Sequence, residues 1–237
     1  MKIGLLLCDH VAERFQPIAG DYAQMFGVLF APHFTLRSYD AINGELPASL
    51  DECDGYLATG SRFSAYGDEP WIHALKAFIQ RLVAARKPFV GICFGHQLLA
   101  EAIGGKVANA ATGWGVGVHD IAMTQPESQA ERWMQPMPTV CRLQYMHQDQ
   151  VVQLPPDSTL LGSSPHCPVA IFRVGESALG IQAHPEFVSD YSAALLRDRV
   201  ARIGTERVQA GLASLSLKTD EAIVAQWILS FFQQASN

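Results

Sequence analysis

Cationic residues are scarce and scattered: Lys and Arg number 17 against 23 Asp and Glu, a formal charge of −6. No run of Lys or Arg supplies the electrostatic footprint of a nucleic-acid binder, so nucleic acid is not an expected partner. Cysteine is thin as well. The five residues Cys8, Cys53, Cys93, Cys141 and Cys167 are an odd, widely spaced set without a Cys-x-x-Cys pair, which argues against a disulfide framework or a structural zinc site. Free thiols in a reducing cytoplasm fit this usage. Long apolar runs are also missing: the longest, Ala222 to Phe232, is broken by Gln226 and Ser230 and falls short of the roughly 20 residues a membrane span needs. The apolar run after Met1 stops at Asp9, too early for a signal-peptide core, so neither membrane nor secretion is expected. There is no Gly-Lys-Ser/Thr phosphate loop, and neither ATP use, a metal nor a cofactor is expected.

What remains is a folding composition. The 237 residues are 49% hydrophobic and 17% charged, too apolar for a disordered chain, and a chain of this length buries roughly 70–75% of its unfolded surface. Strand-length apolar runs alternate with stretches of helical period, the pattern of an α/β domain with a largely parallel sheet. Lys2–Leu7, Phe34–Tyr39, Asp54–Ala58, Pro88–Cys93 and Ala178–Ala183 read as strands, and Asp21–Ala31 and Gly95–Ile103 as helices. A further helix starts near Pro70 with Ile72, Leu75, Phe78, Ile79 and Leu82 on one stripe. From Lys106 to about Val174, Pro- and Gly-bearing turns separate short β-like pieces, which read as antiparallel strands added to the sheet. Helices follow from Asp190, the last with Thr219 as expected N-cap and an apolar stripe of Ile223, Val224, Trp227, Ile228, Phe231 and Phe232. With no repeat and no long linker, the chain reads as one domain over 1–237, with a catalytic core of about 2–187 and C-terminal helices over about 190–235.

The chemistry concentrates in Pro88-Phe-Val-Gly-Ile-Cys-Phe-Gly-His-Gln. Cys93 stands between Gly91 and Gly95 where a strand turns sharply into a helix, the spacing of a nucleophile elbow. The helix start aims its free N–H groups and positive dipole end at the sulfur, favouring thiolate and making the Phe94 N–H an oxyanion donor. Cys8, Cys53, Cys141 and Cys167 do not have glycines on both sides or stand at a strand-to-helix junction, and read as small buried hydrophobes. A base and an orienting group are supplied by His184-Pro-Glu186: residues two apart on an extended chain share a side, and Pro185 keeps His184 extended. His147 and Asp149 repeat that offset with a less evident apolar approach, and His147 reads as structural. The turn Ala58-Thr-Gly-Ser61 also follows a strand, so Gly60 and Ser61 emerge at the same sheet edge as Cys93 and offer the second oxyanion donor. Gly113-Trp-Gly-Val-Gly117 lacks the helix and glycine spacing of a dinucleotide fingerprint.

Together, Gly91-x-Cys93-x-Gly95-x-Gln97, Gly104-Gly105-x-Val107, Thr59-Gly60-Ser61 and His184-Pro-Glu186 resemble the class I glutamine amidotransferases, the triad family that includes the glutaminase part of GMP synthetase. The resemblance runs over roughly Lys2 to Phe187. It implies a flavodoxin-like α/β sandwich, Cys93 as nucleophile, His184 as general base and acid, Glu186 as its partner, and Gln97 as a residue that helps hold glutamine. Gly60-Ser61-Arg62 stands where members commonly carry Gly-Gly-Pro. The Ser-Gly-Gly-x-Asp-Ser loop of an ATP-pyrophosphatase domain is absent, so an ammonia acceptor would be a separate synthetase subunit. Thr59-Gly60-Ser61 followed by Asp68 to Ile72, with His147-x-Asp149, also looks like the stand-alone γ-glutamyl peptidase branch.

The expected function is therefore hydrolysis of the γ-amide of glutamine through a γ-glutamyl thioester on Cys93. Hydrolysis of γ-glutamyl peptides is the alternative, and either way the partner is a small molecule. A non-catalytic or redox-sensing relative would have no need of Cys93, His184 and Glu186 together. An α/β-hydrolase esterase shares the elbow but places its acid before its histidine, whereas here Glu186 follows His184.

Overall fold

The computed structural model describes residues 1–125 and 130–235. The first half alternates strand and helix: β1 (Lys2–Leu6), α1 (Gln16–Ala19), α2 (Tyr22–Phe30), β2 (Thr35–Tyr39), β3 (Gly55–Ala58), α3 (Pro70–Ala84), β4 (Phe89–Ile92) and α4 (Phe94–Ala102). A strand-rich stretch follows, with β5 (Lys106–Asn109), β6 (Gly115–Met123), β7 (Val140–His147), β8 (Asp149–Gln153), β9 (Ser158–Ser163), β10 (Ile171–Val174) and β11 (Ala178–Ile181). Helices complete the chain: α5 (Ser189–Asp198), α6 (Val200–Ile203), α7 (Thr205–Ser214) and α8 (Glu221–Ala235).

Local chemistry accounts for the helix starts. Asp21 closes a capping box with Gln24 at the head of α2, satisfying N–H groups the first turn leaves free. Pro70 occupies the first turn of α3, and the buried residues of that helix are Ile72, Leu75, Phe78, Ile79 and Leu82, the stripe its periodicity predicts. Thr219 does not cap α8: its hydroxyl donates to the Glu221 carboxylate. Asp220, immediately before the helix, is tied instead to β7, its carboxylate accepting from the Arg142 N–H at 2.8 Å.

Among the described residues, nine strands form one sheet in the order β2-β1-β3-β4-β11-β10-β9-β6-β7. The first five are mutually parallel, the flavodoxin-like order in which ligands bind beyond the carboxyl ends of the strands. From β11 onward the pairings are antiparallel, so β6, β7, β9 and β10 extend the sheet as expected. β5 and β8 do not join it; they pair as a separate two-stranded sheet.

Alternation along the strands loads both faces. One core gathers Ile3, Leu5, Leu57, Val90 and Ile92 with Phe26, Trp227 and Phe231. The other gathers Leu6, Tyr56, Ala58 and Phe89 with Leu75, Ile79 and Leu98. The register then sets the site: Ala58 pairs with Gly91 and Ile181 with Ile92, so β3, β4 and β11 end level, with β4 in the middle.

Candidate active site

Cys93 is the residue at which β4 becomes α4. Its φ of 52° and ψ of −98° lie outside the usual regions for a side-chain-bearing residue, strain that persists only where the surroundings enforce it. Those surroundings are explicit. A Cβ on Gly91 would stand 2.3 Å from the Gly95 carbonyl oxygen, and one on Gly95 2.5 Å from the Ala58 oxygen, so neither position admits a side chain. The turn is tied to both neighbours, the Cys93 N–H donating to Ile181 O at 2.8 Å and the Gly95 N–H to Thr59 O at 3.2 Å.

The loop after β11 carries the partner histidine. His184 donates its backbone N–H to Gln144 O at 2.9 Å, and its Nδ1 lies 2.8 Å from Glu186 Oε1 with both side chains buried. The imidazole stacks on Phe187 at 3.9 Å. Burial works against its protonated form, but the Cys93 sulfur and the Glu186 carboxylate outweigh burial and push His184 up to about 10. Burial, aided by the neighbouring Asp9, Asp220 and Cys93 respectively, pushes the Cys8, Cys141 and Cys167 thiols up to about 12, as suits inert core cysteines.

Gly60, after β3, closes the group. A Cβ there would lie 2.9 Å from His184 Cε1 and 3.7 Å from Cys93 Cβ, so both chemical residues face the same glycine. The N–H groups of Phe94, Gly60 and Ser61 have no acceptor among the described residues. Such groups are available to a ligand.

These features decide the reading, and residues 61–203, more than half of the chain, match the family described as Glutamine amidotransferase class-I. The chain belongs to that family. Among curated relatives, γ-glutamyl peptidase 5 of Arabidopsis thaliana is 34% identical over 193 residues, 80% of this chain and 76% of its own. A glutamine-hydrolysing GMP synthase subunit of Methanopyrus kandleri is 33% identical over 114 residues, 47% of this chain and 58% of its own. A crystal structure of a glutamine amidotransferase from Thermotoga maritima superposes with a TM-score of 0.78 at 20% identity, covering 100% of this chain and 98% of that one, and so shares the flavodoxin-like fold. A cysteine nucleophile in a catalytic triad is a feature of class I amidotransferases.

Within this member of the family the remaining candidates separate. Gln97 lines the cavity beside Cys93, but its amide nitrogen already donates to Asp149 O at 2.6 Å and Gln182 Oε1 at 3.1 Å, tying α4 to the start of β8 and to the residue after β11. His147 and Asp149 do not form a second base–acid pair. β7 ends at one and β8 begins at the other, so the side chains diverge: His147 Nδ1 donates to the backbone oxygen of Asp149 at 3.0 Å, while the Asp149 carboxylate accepts from Ser64 at 2.7 Å and from Asn109. Burial lowers His147 well below an ordinary histidine. The glycines of 113–117 serve packing; a Cβ on Gly117 would meet Ser214 Oγ at 2.3 Å.

Sequence reasoning missed the supports. Asp9 accepts from the Arg62 backbone N–H at 2.9 Å and from its guanidinium at 2.7 Å, fixing the loop that carries Gly60. Gln144 donates to Phe187 O at 2.9 Å and accepts from the Ser192 hydroxyl, clamping the loop that carries His184. Arg199 and Arg202, three apart and so neighbours on a helical surface, also line the cavity with Cys93.

Proposed function

We propose that the chain hydrolyses a γ-glutamyl amide through a thioester on Cys93. The observation that carries this reading is the apposition of the Cys93 elbow and the His184–Glu186 pair across Gly60. Cys93 Sγ attacks the γ-carbonyl carbon, and the oxyanion that forms accepts from the Phe94 N–H and from a donor on the Gly60–Ser61 turn. His184, protonated and held by Glu186, gives its proton to the leaving nitrogen as the C–N bond breaks. The thioester remains; His184 then takes a proton from water as the water attacks, the C–S bond breaks, and glutamate leaves. Glu186 keeps the imidazole oriented throughout.

Two leaving groups fit this chemistry. With glutamine it is ammonia, which a separate synthetase subunit would consume, a reading supported by the likeness to part of a GMP synthase. With a γ-glutamyl peptide it is an amino acid or peptide amine, supported by a likeness spanning most of both chains to a γ-glutamyl peptidase. We favour the second. The test is glutamate release from glutamine and from γ-glutamyl peptides by the wild type and Cys93→Ala. Abolished turnover in a folded Cys93→Ala protein is the expected result; retained turnover would overturn the mechanism.

A further inference from the structure

Three cavities lie at or beside the site; all share Arg62 and Arg199, and two of them also share Arg202. The first is lined by Cys93, Gln97, Asn109, Asp149, Arg199 and Arg202. A small second one holds Cys93, His184, Arg62 and Arg199. The third, 240 Å³, is lined by Arg62, Arg199, Arg202, Phe15 and Tyr191 and contains neither Cys93 nor His184. The route from sulfur to surface on the histidine side therefore runs past Arg199 into a space far larger than the roughly 30 Å³ share of a water-sized molecule. Ammonia needs no such space.

The charges along that route are uneven. Asp9 is engaged by Arg62 at 2.7 Å and Asp198 by Arg14 at 2.9 Å. Arg199 and Arg202 have no carboxylate partner among the described residues. Arg202 lies over the Trp114 ring at 5.3 Å, which fixes its plane. Arg199 sits half-buried at the break between α5 and α6. Two guanidinium groups without a carboxylate partner, one half-buried and one exposed, line one opening and match a carboxylate in charge.

Side decides which carboxylate. The leaving nitrogen must lie against His184, which donates its proton; Arg199 shares the cavity of His184 while Gln97, Asn109 and Asp149 do not, and Arg202 joins Arg199 in the 240 Å³ cavity, which Gln97, Asn109 and Asp149 do not line either. We propose that Arg199 and Arg202 bind a carboxylate on the leaving group. The preferred substrates are then γ-glutamyl peptides that end in a free carboxylate one or two residues beyond the scissile amide, ahead of glutamine and neutral γ-glutamyl amides. This rests on the Cys93 reading above and adds the substrate class to it.

The test compares γ-glutamylglycine with γ-glutamylglycinamide, which differ only in that carboxylate, as kcat/KM ratios within each protein sample so that the folded fraction cancels. The wild type should favour the acid by about tenfold or more, as a charge-assisted hydrogen-bonded contact provides. Arg199→Gln/Arg202→Gln should bring the ratio toward one through KM. Arg199→Glu should invert it for a γ-glutamyl amide of ethylenediamine, whose leaving group carries a cation. Binding to Cys93→Ala, measured by calorimetry, should show the same order without turnover. Cys93-dependent cleavage with equal rates for acid and amide, or an acid preference that survives both substitutions, overturns the carboxylate site and leaves the γ-glutamyl reading standing. Absence of Cys93-dependent cleavage of every substrate overturns that reading and the carboxylate site with it.

Discussion

His184 shows how little of a residue's behaviour lies in its type. An exposed histidine is half neutral near pH 6.5, but this one sits between a sulfur and a carboxylate, and burial fails to cancel their attraction, so it holds its proton up to about 10. A raised value means that the folded chain binds this proton more tightly than the unfolded chain does. The stability it brings is complete below about pH 6.5 and is lost as the pH rises through the folded value. In the proposed mechanism the same proton goes to the leaving amine, so the alkaline limb of kcat/KM should fall near pH 10 and move down in Glu186→Gln; a pH–rate profile with an unmoved limb would remove Glu186 from this role. The pair was legible because Pro185 and a two-residue offset act locally. Gln144 and Asp9 were not, since each meets its loop through contacts 40 to 53 positions distant.

Elements reveal what glycine does at a turn, and the contrast is measurable. Gly91→Ala places a Cβ 2.3 Å from a backbone oxygen that cannot swing aside, so overpacking should cost about 1–3 kcal/mol and displace the Cys93 turn. Gly27, inside α2, has nothing within 4 Å of such an atom, and Gly27→Ala should add about 0.5–1 kcal/mol of stability through helix propensity. Urea unfolding of the two variants should therefore shift in opposite directions. The elbow, the α3 stripe and the five parallel strands were readable because each rests on local periodicity or sterics. The pairing of β5 with β8 was not: Val107 opposite Val151 is a long-range choice that the apolar pattern of either strand leaves open. Thr219 illustrates the remaining error. A residue one step too early looked like a cap, and Asp220 holds that place because it is tied to Arg142 of β7.

At the scale of the whole molecule, one core holds both Trp227 and Cys93, yet stability and turnover should separate within it. Trp227 is buried among Trp133, Phe231 and their neighbours on the α8 face, and its indole N–H donates to Pro136 O at 2.9 Å. Trp227→Ala should lower stability by about 3–5 kcal/mol. Thermal unfolding should register the loss, while kcat/KM at a temperature where the variant is folded should not move. Another consequence concerns order in time. β11 is among the last strands in sequence, yet it lies between β4 and β10 and carries His184 just beyond its end. On a chain emerging from the ribosome, Cys93 therefore exists without His184 while the next ninety or so residues are made, and the strand between the two halves of the sheet is still to come. Synthesis itself thus withholds the Cys93–His184 pair until the strand that unites the sheet has been delivered.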